Sequence, residues 1–185
     1  NKDSDWTIKR YNIKDFRHRF SRCLRPSRAC VSWQGAHRLA LLGIATPQPI
    51  AMRENRNGRF RKEAYLVTEF IEGKNLQSWL LSLSKDQVPT WLGKEVLRLF
   101  NTLWYSKVSH GDMKASNFIV SEKILYVIDL DTLQWHSSEE SMNQAFTRDI
   151  ERFMENWQGN TWIYFKDILS PLAEQLNITL KNKKV

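Results

Sequence analysis

With 185 residues and a hydrophobic fraction of 42%, the chain has the length of about one domain and enough apolar material for a sizeable core, as a folded globular protein requires. Its formal charge of +8 attracts nucleotides, anionic lipids, phosphorylated glycans and nucleic acids, and says little about fold. Two cysteines, Cys23 and Cys30, with no histidine pair at ligand spacing, indicate neither a zinc site nor a disulfide framework and fit a reducing cytoplasm.

Residues 1–5 lack the apolar core of a secretory signal and start without methionine, so a fragment or trimmed chain is expected. Residues 6–11, WTIKRY, alternate in character and predict a short strand that carries Lys9. Residues 15–25 are dense in arginine (Arg17, Arg19, Arg22, Arg25, beside His18), which suits either a solvated face or an anionic surface such as lipid headgroups or substrate phosphates. Nucleic acid is disfavoured, because no recognition motif or aromatic platform accompanies the arginines. Pro26 and Ser27 signal the start of a helix over residues 28–42, with Cys30, Trp33, Ala36 or His37, and Ala40 or Leu41 on one face. No acidic residue lies between Asp15 and Glu54.

Gly43 closes that helix, and residues 43–49, GIATPQP, lead into a strand beginning at residues 50–52. The apolar window 39–52 is interrupted by Thr46, Pro47, Gln48 and Pro49, and falls short of the roughly 20 residues a spanning helix needs. Residues 54–62 are polar, with Asn57-Gly58 as a hairpin turn signal, and residues 64–70 form an apolar strand that residues 71–74 break. A short helix follows at residues 75–83. A longer one spans residues 90–107, capped by Thr90, with Leu92, Val96, Leu99 and Leu103 as its buried stripe.

Residues 109–131, SHGDMKASNFIVSEKILYVIDLD, organise the rest. The runs 118–120 and 124–128 are β-rich and separated by Ser121, Glu122 and Lys123, so they predict a tight hairpin whose ends come together. Such a hairpin brings Asp112, Asn117 and Asp129 within reach of one site. These residue types suit phosphoryl transfer, in which a protein mainly positions groups and neutralises charge. Asp112 is placed to accept the proton of an attacking hydroxyl. Asn117 and Asp129 offer the hard oxygen ligands that Mg²⁺ prefers, and Lys114 can bring its ammonium to the transferred phosphoryl group.

Beyond the motif, residues 137–152 predict a helix starting near Ser138 and Glu139. Its Arg148, Asp149 and Arg152 either form surface ion pairs, brace the preceding loop or contact a substrate phosphate. Trp157, Trp162, Tyr164 and Phe165 are expected to pack the core. Eight tryptophans beside a basic surface keep a peripheral membrane position open. Residues 181–184 form a basic tail.

HGDMKASN resembles the catalytic loop of the protein-kinase superfamily, and Asp129-Leu130-Asp131 stands where its Asp-Phe-Gly triplet would be. The pattern S-R-A-x-x-S-W-x-x-A-x-R-L-x-x-x-G-I-x-T-P-x-P over residues 27–49, with HGDMKASNFIV and IDLD, is similar to the bacterial lipopolysaccharide core kinases that phosphorylate heptose or 3-deoxy-manno-octulosonic acid. This resemblance implies an α+β, protein-kinase-like, two-lobed fold: a partial, N-terminally truncated small lobe over residues 1–70 and a mostly helical large lobe over residues 71–185. It implies Asp112 as base, Lys114 as its assistant at the γ-phosphate, and Asn117 and Asp129 as Mg²⁺ ligands. Lys9 would contact the α- and β-phosphates of ATP, while backbone groups of Glu69 and Ile71 hold adenine, with Ile119 on the opposite wall.

Two parts of the pattern are missing from the sequence. No glycine precedes Gly35, so no glycine-rich loop stands before Lys9, and the helix over residues 28–42 has no glutamate for Lys9, which is left to Asp129 or a more distant acid. Only 54 residues follow Asp131, with no Ala-Pro-Glu triplet, which favours a compact hydroxyl substrate over a protein. The expected activity is ATP- and Mg²⁺-dependent phosphorylation of a lipopolysaccharide core sugar or another anionic glycolipid, in the cytoplasm and peripherally on the inner membrane. Two other readings fit the sequence: a catalytically silent, kinase-like module for an anionic partner, and a compact RIO-like serine/threonine kinase.

Overall fold

The computed structural model describes residues 5–12, 26–58, 60–83 and 88–180, so the arginine-dense stretch, Cys23 and the basic tail lie outside the described residues. The chain is a mixture of helices and antiparallel strands that divides into two compact units, residues 1–72 with 129–132, and residues 73–128 with 133–185.

The first unit is a three-stranded antiparallel sheet with one helix. Its strands are β1 (Trp6–Tyr11), β2 (Pro49–Asn57) and β3 (Phe60–Glu69), in the order β1-β3-β2. The predicted turn at Asn57-Gly58 forms, with Gly58 at φ 58° and Asn57 paired with Phe60. The strands reach further into the polar stretch than its composition suggests. Asn55 and Glu63 join across them at 2.6 Å, Arg56 and Glu54 pair at 2.8 Å, and a register shift between Glu54 and Arg56 absorbs the irregularity.

Helix α1 (Arg28–Leu41) begins where predicted, the Ser27 hydroxyl accepting the Cys30 N–H at 3.0 Å. Its buried face is a correction. Ala29, Ser32, Gly35, Ala36 and Leu39 face inward, while Cys30 and Trp33 are half-buried and His37, Ala40 and Leu41 are exposed. The small residues allow close approach to the sheet, where Tyr11, Ala29, Ala64 and Leu66 form the core and Trp33 and Met52 close its edge. A one-turn 3₁₀ helix, Leu130–Thr132, lies against α1.

The second unit carries strand β4 (Lys74–Asn75) and helices α2 (Leu76–Leu81) and α3 (Thr90–Tyr105). Then come β5 (Val108–Ser109), the hairpin β6 (Phe118–Ser121) and β7 (Ile124–Val127), β8 (Gln134–Trp135), and helices α4 (Glu139–Met154) and α5 (Gly159–Gln175). The hairpin closes through Glu122 and Lys123 alone, both at positive φ (46° and 65°), the two-residue geometry that matches strand twist. Thr90 is the first residue of α3 and not its cap. That position belongs to Pro89, which has no side-chain acceptor to offer. The stripe Leu92, Val96, Leu99 and Leu103 is buried as the periodicity predicts.

Phe153 of α4 is the hub of the core, meeting Phe100, Phe118, Trp157 and Phe165 edge-on with centroids 5.4, 5.9, 5.5 and 5.0 Å away. Through Phe118 the hairpin is keyed to three helices. Helix α5 has no counterpart in the sequence reading, because Gly159 and Pro171 punctuate it. It forms because Phe165, Leu169, Leu172 and Ala173 bury one face.

Candidate active site

The loop between β5 and β6 alternates direction residue by residue. Met113 and Ala115 are fully buried, so Asp112 and Lys114 between them must face outward, and both are half-buried. Gly111 takes φ 82°, a left-handed conformation that glycine adopts without strain, and turns the chain into this register. A 3₁₀ turn over Ala115–Asn117 then feeds β6, the Asn117 N–H donating to the Lys114 carbonyl at 2.8 Å.

Asp149 holds the entry to the loop. One of its carboxylate oxygens accepts the His110 N–H at 2.6 Å and the other accepts the Gly111 N–H at 2.9 Å. It is almost fully buried on the apolar stripe of α4, and burial pushes its carboxyl above the usual range despite the His110 ring and the two amide hydrogens. The His110 ring is itself fixed, its Nδ1 accepting the Asp112 N–H at 3.3 Å, which leaves Nε2 to donate to the Ile128 carbonyl at 3.0 Å.

Both carboxylate oxygens of Asp112 are engaged. Oδ2 meets Lys114 Nζ at 2.8 Å and Asn117 Nδ2 at 3.1 Å, while Oδ1 lies 3.4 Å from Arg152 Nε. Partial burial works to raise its pKa, but the Lys114 ammonium, the Asn117 amide and Arg152 outweigh it and hold the carboxyl below the usual range. Asp112 is therefore ionised at neutral pH. Asn117 also donates to the Asp112 carbonyl at 2.8 Å. With Nδ2 committed to two acceptors, the amide orientation is settled, and its oxygen is the acceptor end of the group.

The second cluster lies in the first unit. Lys9 of β1 pairs with Asp129, and its Nζ lies 3.9 Å from Asp131 Oδ2. Burial acts to lower the Lys9 pKa, yet the Asp129 hydrogen bond and the surrounding negative charge leave it raised, so Lys9 is a firm cation. This pair is one of the two alternatives open in the sequence. Asp129 sits at φ 61°, uncommon for a residue with a side chain. Arg28, the first residue of α1, pairs with Asp131, whose side chain is 3% exposed.

The remaining sequence candidates stand as follows. The Glu69 N–H is taken by the Gln48 carbonyl at 3.0 Å, and its own carbonyl accepts the Thr68 hydroxyl at 3.1 Å. Among the described residues, the Ile71 N–H has no acceptor. Ile119 is half-buried on β6, against Gly73, where an added Cβ would meet its Cγ2 at 2.7 Å. Arg28 and Asp131 were not singled out as site residues. The available signal was a cation at the positive end of a helix with no acid in its first turn, an unfavourable placement that calls for an acidic neighbour. Asp149 takes one of the roles that its sequence position left open, bracing the loop, and it does so from an otherwise apolar helical stripe, Met142, Ala145, Phe146, Ile150 and Phe153.

Among the described residues no group of three or more His, Cys, Asp and Glu side chains could hold a metal. Taken singly, the Asp129 carboxylate and the Asn117 amide oxygen are hard oxygen donors of the kind that Mg²⁺ prefers.

Among solved structures the chain is similar to WaaP in complex with acyl carrier protein, at a TM-score of 0.60 and 17% identity over 94% of this chain and 78% of that one. It is also similar to monomeric WbdD, at a TM-score of 0.51 and 17% identity over 79% of this chain and 34% of that one. At these identities the likeness carries the fold, which is protein-kinase-like. No curated protein sequence matches the chain. The model of the lipopolysaccharide kinase (Kdo/WaaP) family matches residues 1–168. Spanning nearly the whole sequence, including both charged clusters, that match means that the chain belongs to the lipopolysaccharide kinase (Kdo/WaaP) family.

Proposed function

We propose that the chain transfers the γ-phosphoryl group of Mg²⁺-ATP to a hydroxyl of a lipopolysaccharide core sugar. The observation that carries this reading is Asp112, ionised, flanked by Lys114 and Asn117, on a loop held at its entry by the buried Asp149. The acceptor oxygen forms the new P–O bond, the bond to the bridging oxygen breaks, ADP leaves, and the hydroxyl proton passes to Asp112. Because that carboxylate is a weak base, the proton moves late, once the forming ester bond has made the hydroxyl acidic. Lys114 offsets the charge on the transferred group.

Lys9 is the cation for the α- and β-phosphates, and Asp129 and the Asn117 amide oxygen are the residues that would hold Mg²⁺. The ion would supply neutralisation of the phosphate oxygens. The Glu69 carbonyl and the Ile71 N–H are the backbone groups for adenine, with Ile119 as an apolar wall. The acceptor side is a core sugar or another anionic glycolipid, reached from a peripheral position on the cytoplasmic face of the inner membrane. The limb over residues 1–70 would serve the nucleotide and residues 71–185 the acceptor and metal.

Asp112→Ala is expected to lower turnover by about 10² to 10⁴ in a phosphate-transfer assay. Asp129→Ala should abolish Mg²⁺-dependent nucleotide binding, read as loss of a thermal shift worth about 2.7 kcal/mol at 100 Kd of ligand. Full activity in both variants would overturn the assignment. A wild-type protein with no shift would instead be a silent binding module.

A further inference from the structure

Helix α1 has no acidic side chain to meet Lys9, yet Lys9 is not left alone. Four charges of alternating sign, Lys9, Asp129, Asp131 and Arg28, gather beside Tyr11. Both cations lie over its ring, Lys9 Nζ at 5.0 Å and the Arg28 guanidinium at 5.4 Å from the centroid. The ring is buried, and its hydroxyl is tied to Ser32 of α1 at 3.1 Å. Asp131 is the pivot. It is shielded from water, its Oδ2 has no directional hydrogen bond among the described residues, and the two cations are what compensate its charge.

We propose that Arg28 and Asp131 form a charge-reversed brace between α1 and the loop that carries Asp129, and that Arg28 is a positioning residue for nucleotide binding. The proposal rests on the phosphotransferase reading. A helix-borne anion would grip the lysine directly. Here a helix-borne cation grips an aspartate of the loop, and that loop presents Asp129 to Lys9. Two features make the link directional. Arg28 stands in the first turn of α1, where the helix dipole disfavours a cation, so its placement is sustained by Asp131. The 3₁₀ turn Leu130–Thr132 leaves Asp131 only two residues from Asp129, so fixing one carboxylate restricts the other.

The test is a double-mutant cycle on the full chain with Arg28→Met, Asp131→Asn and both together, plus Arg28→Lys. Each variant is read by the melting temperature without ligand and by KM for Mg²⁺-ATP and for the acceptor. The brace predicts that each single change raises KM for Mg²⁺-ATP by about tenfold or more, as expected for leaving a buried carboxylate, or its cation, without its ion-pair partner. KM for the acceptor should stay within about twofold, the double variant should be no worse than the worse single one, and Arg28→Lys should recover part of the loss. Additive effects in the cycle, or a lower melting temperature with unchanged KM for Mg²⁺-ATP, would overturn the positioning role. A wild-type protein that gains no thermal stability from Mg²⁺-ATP would refute the phosphotransferase reading and the positioning role with it. The ligand-free cycle would then still report whether Arg28 and Asp131 are coupled.

Discussion

At the scale of single residues, the chemistry of this chain is set by which polar groups are paired before any substrate arrives. Asp112 is the example, an acceptor kept anionic by three donors on neighbouring elements. Its identity, with those of Lys114 and Asn117, is legible in the sequence because six consecutive positions carry all three. Arg152 and Asp149 come from a helix some forty positions away, so only the fold reveals what they touch. His136 gives a pH test. Its Nε2 meets the Ser109 hydroxyl and its Nδ1 the Ser141 hydroxyl, both at 2.8 Å, and burial, with the charge of Arg148, holds its pKa below the usual imidazole value. The unfolded chain therefore takes up this proton first as pH falls. The contribution of His136 to stability is complete above a pH of about 6.5 and is lost as pH falls through its lower folded value. The melting temperature is expected to decline from about pH 7 to pH 5, and His136→Gln to flatten that decline; equal slopes in the two proteins would dismiss the role.

At the scale of elements, helix starts and the hairpin are the parts most readable in advance, because Ser27, Asn75 and Ser138 each accept an amide hydrogen three positions on. Helix α3 shows what reading cannot supply. Pro89 brings no side-chain acceptor, and the Tyr164 hydroxyl of α5 takes the Gly93 N–H near the start of the helix. That contact requires glycine. A Cβ at position 93 would come within 2.2 Å of the Tyr164 oxygen. Gly93→Ala should therefore destabilise by about 1 to 3 kcal/mol despite the better helix propensity of alanine. Adding Tyr164→Phe should recover part of that loss by removing the clashing oxygen, and denaturant midpoints for the three variants check this. The face of α1 was misread for a related reason. Trp33 and Leu41 are the bulkier apolar residues, but the helix approaches its sheet closely and buries alanine, serine and glycine instead.

At the scale of the whole molecule, the α+β class followed from the family resemblance carried by HGDMKASN and residues 27–49, whereas α5 was not read from the sequence, since a proline within a helix masks a pattern that only burial restores. The overall excess of positive charge belongs at this scale too. Anionic vesicles are expected to retain the protein at low ionic strength and release it at about 0.5 M salt, where screening shortens electrostatic reach. Sedimentation with vesicles checks this, and salt-independent retention would point to apolar insertion instead. Asp129, on its left-handed backbone, has a consequence for anyone who engineers this protein. Glycine is the residue that geometry welcomes, and it has no oxygen to offer a metal. On the proposed reading of Asp129 as a metal ligand, a screen that rewards heat resistance alone would accept the exchange and silently erase the reaction, so only selection for product would keep that aspartate in place.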